Sequence, residues 1–126
     1  MTPKQSKIKK DPTFEVVYKP WGSYRIVEIK KGRLIKQIDV LPGEMLSLQS
    51  HIHRSELWIV VSGVACVRKG EEILSLGKNQ SVFIPRKTKH RLANITDFPL
   101  RIIEIQYGDI LDEEDIIRYD DLYGRC

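Results

Sequence analysis

The sequence predicts an all-β fold, a sandwich or barrel of short strands, on three observations. Short runs rich in β-branched and aromatic residues recur along most of the chain, the most β-prone being Glu56-Leu57-Trp58-Ile59-Val60-Val61. Glycine- or proline-bearing breaks separate these runs at regular spacing, among them Lys19-Pro20-Trp21-Gly22, Leu41-Pro42-Gly43, Ser62-Gly63 and Gly77-Lys78-Asn79. No convincing helical periodicity precedes residue 109. The alternative with the same strands is an open sandwich without a cavity.

Taken in order, residues 1–12 read as a basic arm, with Lys4, Lys7, Lys9 and Lys10 bracketed by Pro3 and Pro12, and residues 13–126 as a single domain. Strands are expected at 14–18, 24–29, 34–40, 56–61, 64–68, 73–76, 80–85, 90–95 and 100–107. The stretch from Gly43 to Glu56 is read as a further strand. Alternation then puts Ser47, Gln49, His51 and His53 on one face and Leu46, Leu48 and Ile52 on the other. In the acidic tail, Asp112 is placed as the N-cap of a short C-terminal helix, with acids in its first turn.

Composition narrows the function classes. At 126 residues, 41% hydrophobic and 30% charged, the chain is of the size and make-up of one soluble domain. No apolar run is long enough to span a bilayer, and no apolar segment follows the first lysines, so a cytoplasmic protein with no membrane partner is expected. The net charge of +4 comes with neither an aromatic-interleaved basic patch nor a nucleic-acid motif, which argues against nucleic acid. Of the two cysteines, Cys66 is expected to fill space in a strand and Cys126 to be a loose thiol.

The chemistry concentrates in the histidines. His51 and His53 stand one residue apart with Glu56 three positions on, and His90 lies far along the chain. Imidazoles and a carboxylate suit a divalent Zn, Mn, Fe, Co or Ni ion without distinguishing among them. A fold that returns His90 to the others completes a set of His51, His53, Glu56 and His90, and on a six-coordinate ion leaves two positions for water or substrate. On the last long strand Ile102, Glu104 and Gln106 share one face and Ile103, Ile105 and Tyr107 the other, and alternation alone does not say which face turns inward.

These residues carry a resemblance. Gly43, His51, His53, Glu56 and Gly63 resemble the first motif of the cupin superfamily, and Gly77, Pro85, His90 and Asn94 the second. Within the superfamily, Lys19-Pro20-Trp21-Gly22, Leu46-Ser47-Leu48-Gln49, His51-x-His53-Arg54-x-Glu56-x-Trp58, Val61-Ser62-Gly63, Asn79-Gln80-Ser81, Ile84-Pro85, Ile103-Glu104-x-Gln106 and Tyr123-Gly124-Arg125 resemble the type II mannose-6-phosphate isomerase domain. That domain often forms the C-terminal part of a bifunctional mannose-1-phosphate guanylyltransferase. Two positions depart from the pattern: Lys87 where the second motif usually has glycine, and Leu57 where histidine often follows the glutamate.

The resemblance implies a cupin double-stranded β-helix, a jelly-roll barrel, here with the short C-terminal helix. It also implies a divalent metal on His51, His53, Glu56 and His90, and a small sugar phosphate as substrate. The activity implied is aldose–ketose isomerisation between mannose 6-phosphate and fructose 6-phosphate. Glu104 would be the base, with hydroxide on the metal as its rival, and Gln49, Gln106 and Arg125 would contact substrate. Arg125 would hold the phosphate or shield the developing charge. Further cations available to a phosphate are Arg54, Arg86, Lys87, Lys89 and Arg91. A homodimer is expected because single-domain cupins commonly pair. The alternatives are a sugar- or nucleotide-sugar-binding cupin without turnover, and another metal cupin such as an oxygenase. The length leaves no room for a glycine-rich nucleotidyltransferase domain within this sequence.

Overall fold

The structure, a computed structural model, describes residues 13–119. The proposed basic arm and Arg125 therefore lie outside the described residues. Among the described residues eleven strands follow in order: β1 (Val16–Lys19), β2 (Gly22–Lys30), β3 (Arg33–Val40), β4 (Leu48–Ser50), β5 (Ser55–Ser62), β6 (Ala65–Lys69), β7 (Glu72–Leu76), β8 (Ser81–Ile84), β9 (His90–Ala93), β10 (Leu100–Tyr107) and β11 (Ile117–Tyr119). They form two antiparallel sheets. One has the order β1-β2-β3-β10-β5-β8 and the other β11-β4-β9-β6-β7.

Alternation sets the layers. On β3, Leu34, Lys36, Ile38 and Val40 are buried while the residues between them are not. On β10 the buried set is Leu100, Ile102, Glu104 and Gln106, and on β5 it is Glu56, Trp58 and Val60. The inner faces of both sheets meet in a core that includes Ile38, Val40, Trp58, Val60, Val67, Ile84, Leu92, Leu100 and Ile102. Burying an aliphatic side chain of this kind is worth roughly 1.5–3 kcal/mol. The apolar core occupies one end of the sandwich. Toward the other end the inward positions turn polar, at Lys36, Glu56, Glu104 and Gln106.

Two glycines let loops approach closely. Gly63, between β5 and β6, has φ +86°, and a Cβ there would lie 2.4 Å from the Pro99 carbonyl oxygen. Gly108, after β10, packs against the His53–Arg54 backbone, where a Cβ would lie 2.3 Å from the His53 oxygen.

Three expectations need correction. There is no C-terminal helix among the described residues. The Asp112 carboxylate accepts the Glu114 N–H, and the Asp115 N–H reaches the Asp112 carbonyl, so a turn forms. The chain then becomes β11, which pairs with the edge of β4 from Ile117↔Ser50 to Tyr119↔Leu48. Acids suited to a first helical turn are overridden by an open sheet edge. Second, the strand expected through His51 and His53 ends at Ser50. Third, Cys66, expected only to fill space, is disulfide-bonded, while Cys126 lies outside the described residues.

Candidate functional site

The polar end of the sandwich is built from both sheets. Glu56 and Trp58 come from β5, Glu104 and Gln106 from β10, His90 from the start of β9, and Gln49 and His51 from β4 and the residue just beyond it. Register aligns them. Glu104 stands directly opposite Trp58 on one side and Lys36 on the other, and Gln106 stands opposite Glu56. Opposed residues share a face, so these side chains meet. In the other sheet, Gln49 stands opposite His90.

His51, Glu56 and His90 form a buried group whose donor atoms all lie within 4.8 Å of one another, and it could hold a metal ion. Each histidine is oriented by a backbone carbonyl. His51 Nδ1 lies 2.7 Å from the Asp115 oxygen and His90 Nδ1 lies 2.8 Å from the Thr88 oxygen. A carbonyl oxygen only accepts, so Nδ1 carries the proton in both rings and the Nε2 lone pairs turn inward. They face the Glu56 carboxylate, 3.1 Å away for His51 and 3.8 Å for His90. Burial lowers the His90 pKa, which favours the neutral ring, even though Glu56 pulls the other way. Inward lone pairs beside a buried carboxylate require a positive centre. These residues therefore fit a divalent cation.

In the structure the positive centre is the guanidinium of Arg54. It donates from Nε to Glu56 Oε2 at 2.9 Å and from Nη2 to His51 Nε2 at 3.3 Å. A cation bound at His51 Nε2 would have to displace that second contact. Alternation along a continued strand predicts that Arg54 points away from the metal face, but the chain bends at 51–54 and turns it inward. The bend has a physical cause. The Asp115 carboxylate accepts the N–H groups of both Ile52 and His53, and Lys87 N–H binds the His51 carbonyl. Burial opposes ionisation of Asp115, but these two backbone donors hold its carboxyl below the usual range. The same bend leaves His53 exposed and outside the metal-capable group.

Below this group lies a linked pair of carboxylates. Trp58 Nε1–H donates to Glu56 Oε1 at 2.9 Å and to Glu104 Oε1 at 3.1 Å, and Gln106 Nε2 donates to Glu104 Oε2 at 2.9 Å. Burial tends to raise the Glu56 pKa. Its contacts with His51, His90, Glu104 and the Arg54 guanidinium overcome that and hold it well below the usual carboxylate range. Glu104 goes the other way: burial first, then the Glu56 charge, push it up to about 7 despite Lys36. Two adjacent carboxyls are thus held in opposite protonation regimes.

A cavity of about 330 Å³ opens beside the group, and Gln49, Arg54 and Glu104 line it together with Lys19, Lys36, Glu113 and Arg118. A small recess joins Gln49, Glu56, His90 and Glu104. Gln106 is buried behind Glu104. Arg86, Lys87 and Lys89 are exposed and do not line the cavity, and buried Arg91 donates to the Leu46 carbonyl. Lys19, Lys36, Glu113, Asp115 and Arg118 are not among the site residues that the sequence indicates. Lys36 did leave a signal, a charge in step with Leu34, Ile38 and Val40.

Comparison with known proteins agrees with this architecture. Several solved structures share the fold at low identity. KdgF from Halomonas sp. matches with a TM-score of 0.71 and 15% identity, covering 79% of this chain and 89% of that one. An RmlC-like cupin from Shewanella frigidimarina matches with a TM-score of 0.69 and 18% identity, covering 79% and 86%. A double-stranded β-helix protein from Klebsiella pneumoniae matches with a TM-score of 0.68 and 13% identity, covering 96% and 97%. The fold is therefore the cupin double-stranded β-helix.

Sequence relatives are nearer. The xanthan biosynthesis protein XanB of Xanthomonas campestris pv. campestris is 51% identical over 109 residues, 86% of this chain and 23% of that protein. The alginate biosynthesis protein AlgA of Pseudomonas aeruginosa shows the same four values. A mannose-1-phosphate guanylyltransferase of Salmonella muenchen is 49% identical over 102 residues, 81% of this chain and 22% of that protein. The chain thus spans less than a quarter of the length of these relatives. The family model described as mannose-6-phosphate isomerase C-terminal matches residues 6–121, and the chain belongs to that family.

Proposed function

We propose that this domain interconverts mannose 6-phosphate and fructose 6-phosphate with the help of a divalent cation. The observation that carries the reading is the convergence of His51, Glu56 and His90 donor atoms, with Glu56 and His90 on a small recess that a second carboxyl, Glu104, shares with the larger cavity. Aldose–ketose isomerisation moves a proton between adjacent carbons through an enediol, so it needs a base and a means of stabilising the oxygen that gains charge. A cation held by His51, Glu56 and His90 would polarise the substrate oxygens and stabilise that charge.

Gln49, rather than exposed His53, is the fourth residue on this reading. It stands across from His90 and reaches the same recess as Glu56 and His90. Glu104 takes the proton from one carbon and returns it to the next. It borders the cavity, is not one of the three clustered donors, and is held in place by Trp58 and Gln106. Gln106 orients Glu104 and has no surface on the cavity. Arg125 remains in the proposal as a phosphate or charge-shielding residue, on the family resemblance alone.

A second reading, sugar binding without turnover, rests on Arg54, which already satisfies Glu56 and His51. A coupled assay on mannose 6-phosphate with added Zn, Mn, Co or Ni separates the two. Turnover that drops by about 100-fold or more in Glu104→Gln, with metal content unchanged, is the expected result. Full turnover in that variant removes Glu104 as the base. No turnover with any metal removes the isomerase reading.

A further inference from the structure

Lys36 is only 7% exposed, in the middle of an otherwise apolar strand face. Packing alone does not put an ammonium there, because burying an uncompensated charge is costly. Its Nζ lies 4.5 Å from the centre of the Tyr24 ring and 2.8 Å from Glu113 Oε1. Burial by itself lowers the Lys36 pKa, but Glu104 and Glu113 more than reverse that, so the group stays charged.

Glu113 is the less committed partner. Its side chain is 64% exposed, on the turn between β10 and β11. Although burial of the carboxyl opposes it, Lys36, Arg54 and Lys19 all favour its ionised form. The Glu113 carboxylate thus sits among three cations at the cavity, and Lys36, Arg54, Lys19 and Glu113 all line that cavity. Lys36 on β3 also stands directly opposite Glu104 on β10, so the spot lies one strand away from the proposed base.

We propose that the position of the Glu113 carboxylate is the anion subsite of this cavity. Lys36 is its anchoring cation, and the phosphate of the incoming sugar displaces Glu113 from it. Glu113 is then an internal stand-in that competes with the ligand. A phosphate group brings more charge and more acceptor oxygens than one carboxylate, and a side chain on an exposed turn gives way readily. The inference rests on the reading that a sugar phosphate enters the cavity, and it assigns the phosphate to residues that the resemblance does not indicate.

The test uses the whole chain, stripped of metal by chelation, and measures binding of mannose 6-phosphate, mannose and inorganic phosphate by calorimetry and NMR titration. Lys36→Met keeps the length of the side chain and is expected to weaken mannose 6-phosphate and inorganic phosphate by about tenfold or more, leaving mannose unaffected. Glu113→Gln alters an exposed residue and is expected to bind both phosphates roughly threefold to tenfold tighter, because the competitor loses its charge. Circular dichroism confirms that both variants fold. Unchanged phosphate binding in Lys36→Met, no gain in Glu113→Gln, or no binding of either phosphate by the parent chain overturns the proposal. The outcomes distinguish it from the isomerase reading. Lys36-dependent phosphate binding without turnover sinks the isomerase and keeps the subsite. Turnover with an unaltered KM in Lys36→Met does the reverse.

Discussion

Trp58→Phe should be among the most costly conservative changes in this protein. The indole N–H is shared by two buried carboxylates, 2.9 Å from Glu56 and 3.1 Å from Glu104. Phenylalanine keeps an aromatic ring near His90, which the indole meets edge-on at 5.5 Å between centroids, but it offers no donor. Losing a hydrogen bond to a buried charged group costs about 1.5–3 kcal/mol. The smaller ring adds a void worth roughly 1 kcal/mol. The expected loss is therefore about 3 kcal/mol. With a urea m-value of roughly 1.5 kcal/mol/M, the midpoint falls by about 2 M. The measurement is urea unfolding of the chelated protein, followed by circular dichroism. Glu104→Gln should soften the effect, because an amide can donate to Glu56 in place of the indole. A double-mutant cycle should thus show coupling of about 1 kcal/mol between the two positions. A Trp58→Phe midpoint within about 0.5 M of the parent, at unchanged m, would refute the account of the carboxylate pair.

Lys87 has φ +66° and is exposed, so Lys87→Gly should relieve left-handed strain and raise stability by about 0.5 kcal/mol net of the added chain entropy. Thermal melting of this variant beside Lys87→Ala, which keeps the strain, checks it. His51→Ala should weaken Zn binding by about 100-fold in competition with a chelator, while His53→Ala should leave it within about twofold, because His53 lies outside the buried group. Equal losses in both would restore His53 as a ligand. Glu113 has a depressed pKa, so its contribution is present above the ordinary value of 4.5 and is lost as pH falls through the lower folded value. Melting curves should then show Glu113→Gln less stable than the parent by no more than about 1 kcal/mol near neutral pH, the gap closing in acid.

Much of the architecture was legible because alternation is a local property. The two faces of β3, β5 and β10 follow from alternation, though on β10 alternation alone leaves open which face is buried, and the Gly and Pro breaks fall between strands. The bend at His51–Arg54 was not legible. Its cause is a carboxylate at Asp115, more than sixty positions away, that accepts two backbone N–H groups. Nothing in Ser50-His51-Ile52-His53 announces that the strand stops, and that one event moves His53 out and Arg54 in. The tail shows the same limitation. Asp112 does accept a backbone N–H two residues on, as a cap would, but the free edge of β4 takes Ile117–Tyr119 as a strand. Lys36 is different. Its charge stood in phase with Leu34, Ile38 and Val40, and strict alternation would have marked it as buried.

The location of the site follows from the same alternation. A sandwich closes most tightly where both inner faces are aliphatic, around Val60, Val67, Leu92 and Ile102. Polar residues in phase with that core are carried inward by the pleat whether or not they are needed for packing. On β5 and β10 this brings Glu56, Glu104 and Gln106 inward, and the cost of burying them is met by donors from neighbouring strands: Trp58, Lys36 across from Glu104, and Arg54 from the bend. The facing sheet contributes His90 and, at the bend, His51. Because the two imidazoles arrive from one sheet and the carboxylates from the other, the spacing of the donor group depends on how the two sheets pack. A change deep in the shared core, such as Ile102→Ala on the strand that carries Glu104, should therefore loosen the donor group as well as cost roughly 2–5 kcal/mol of stability.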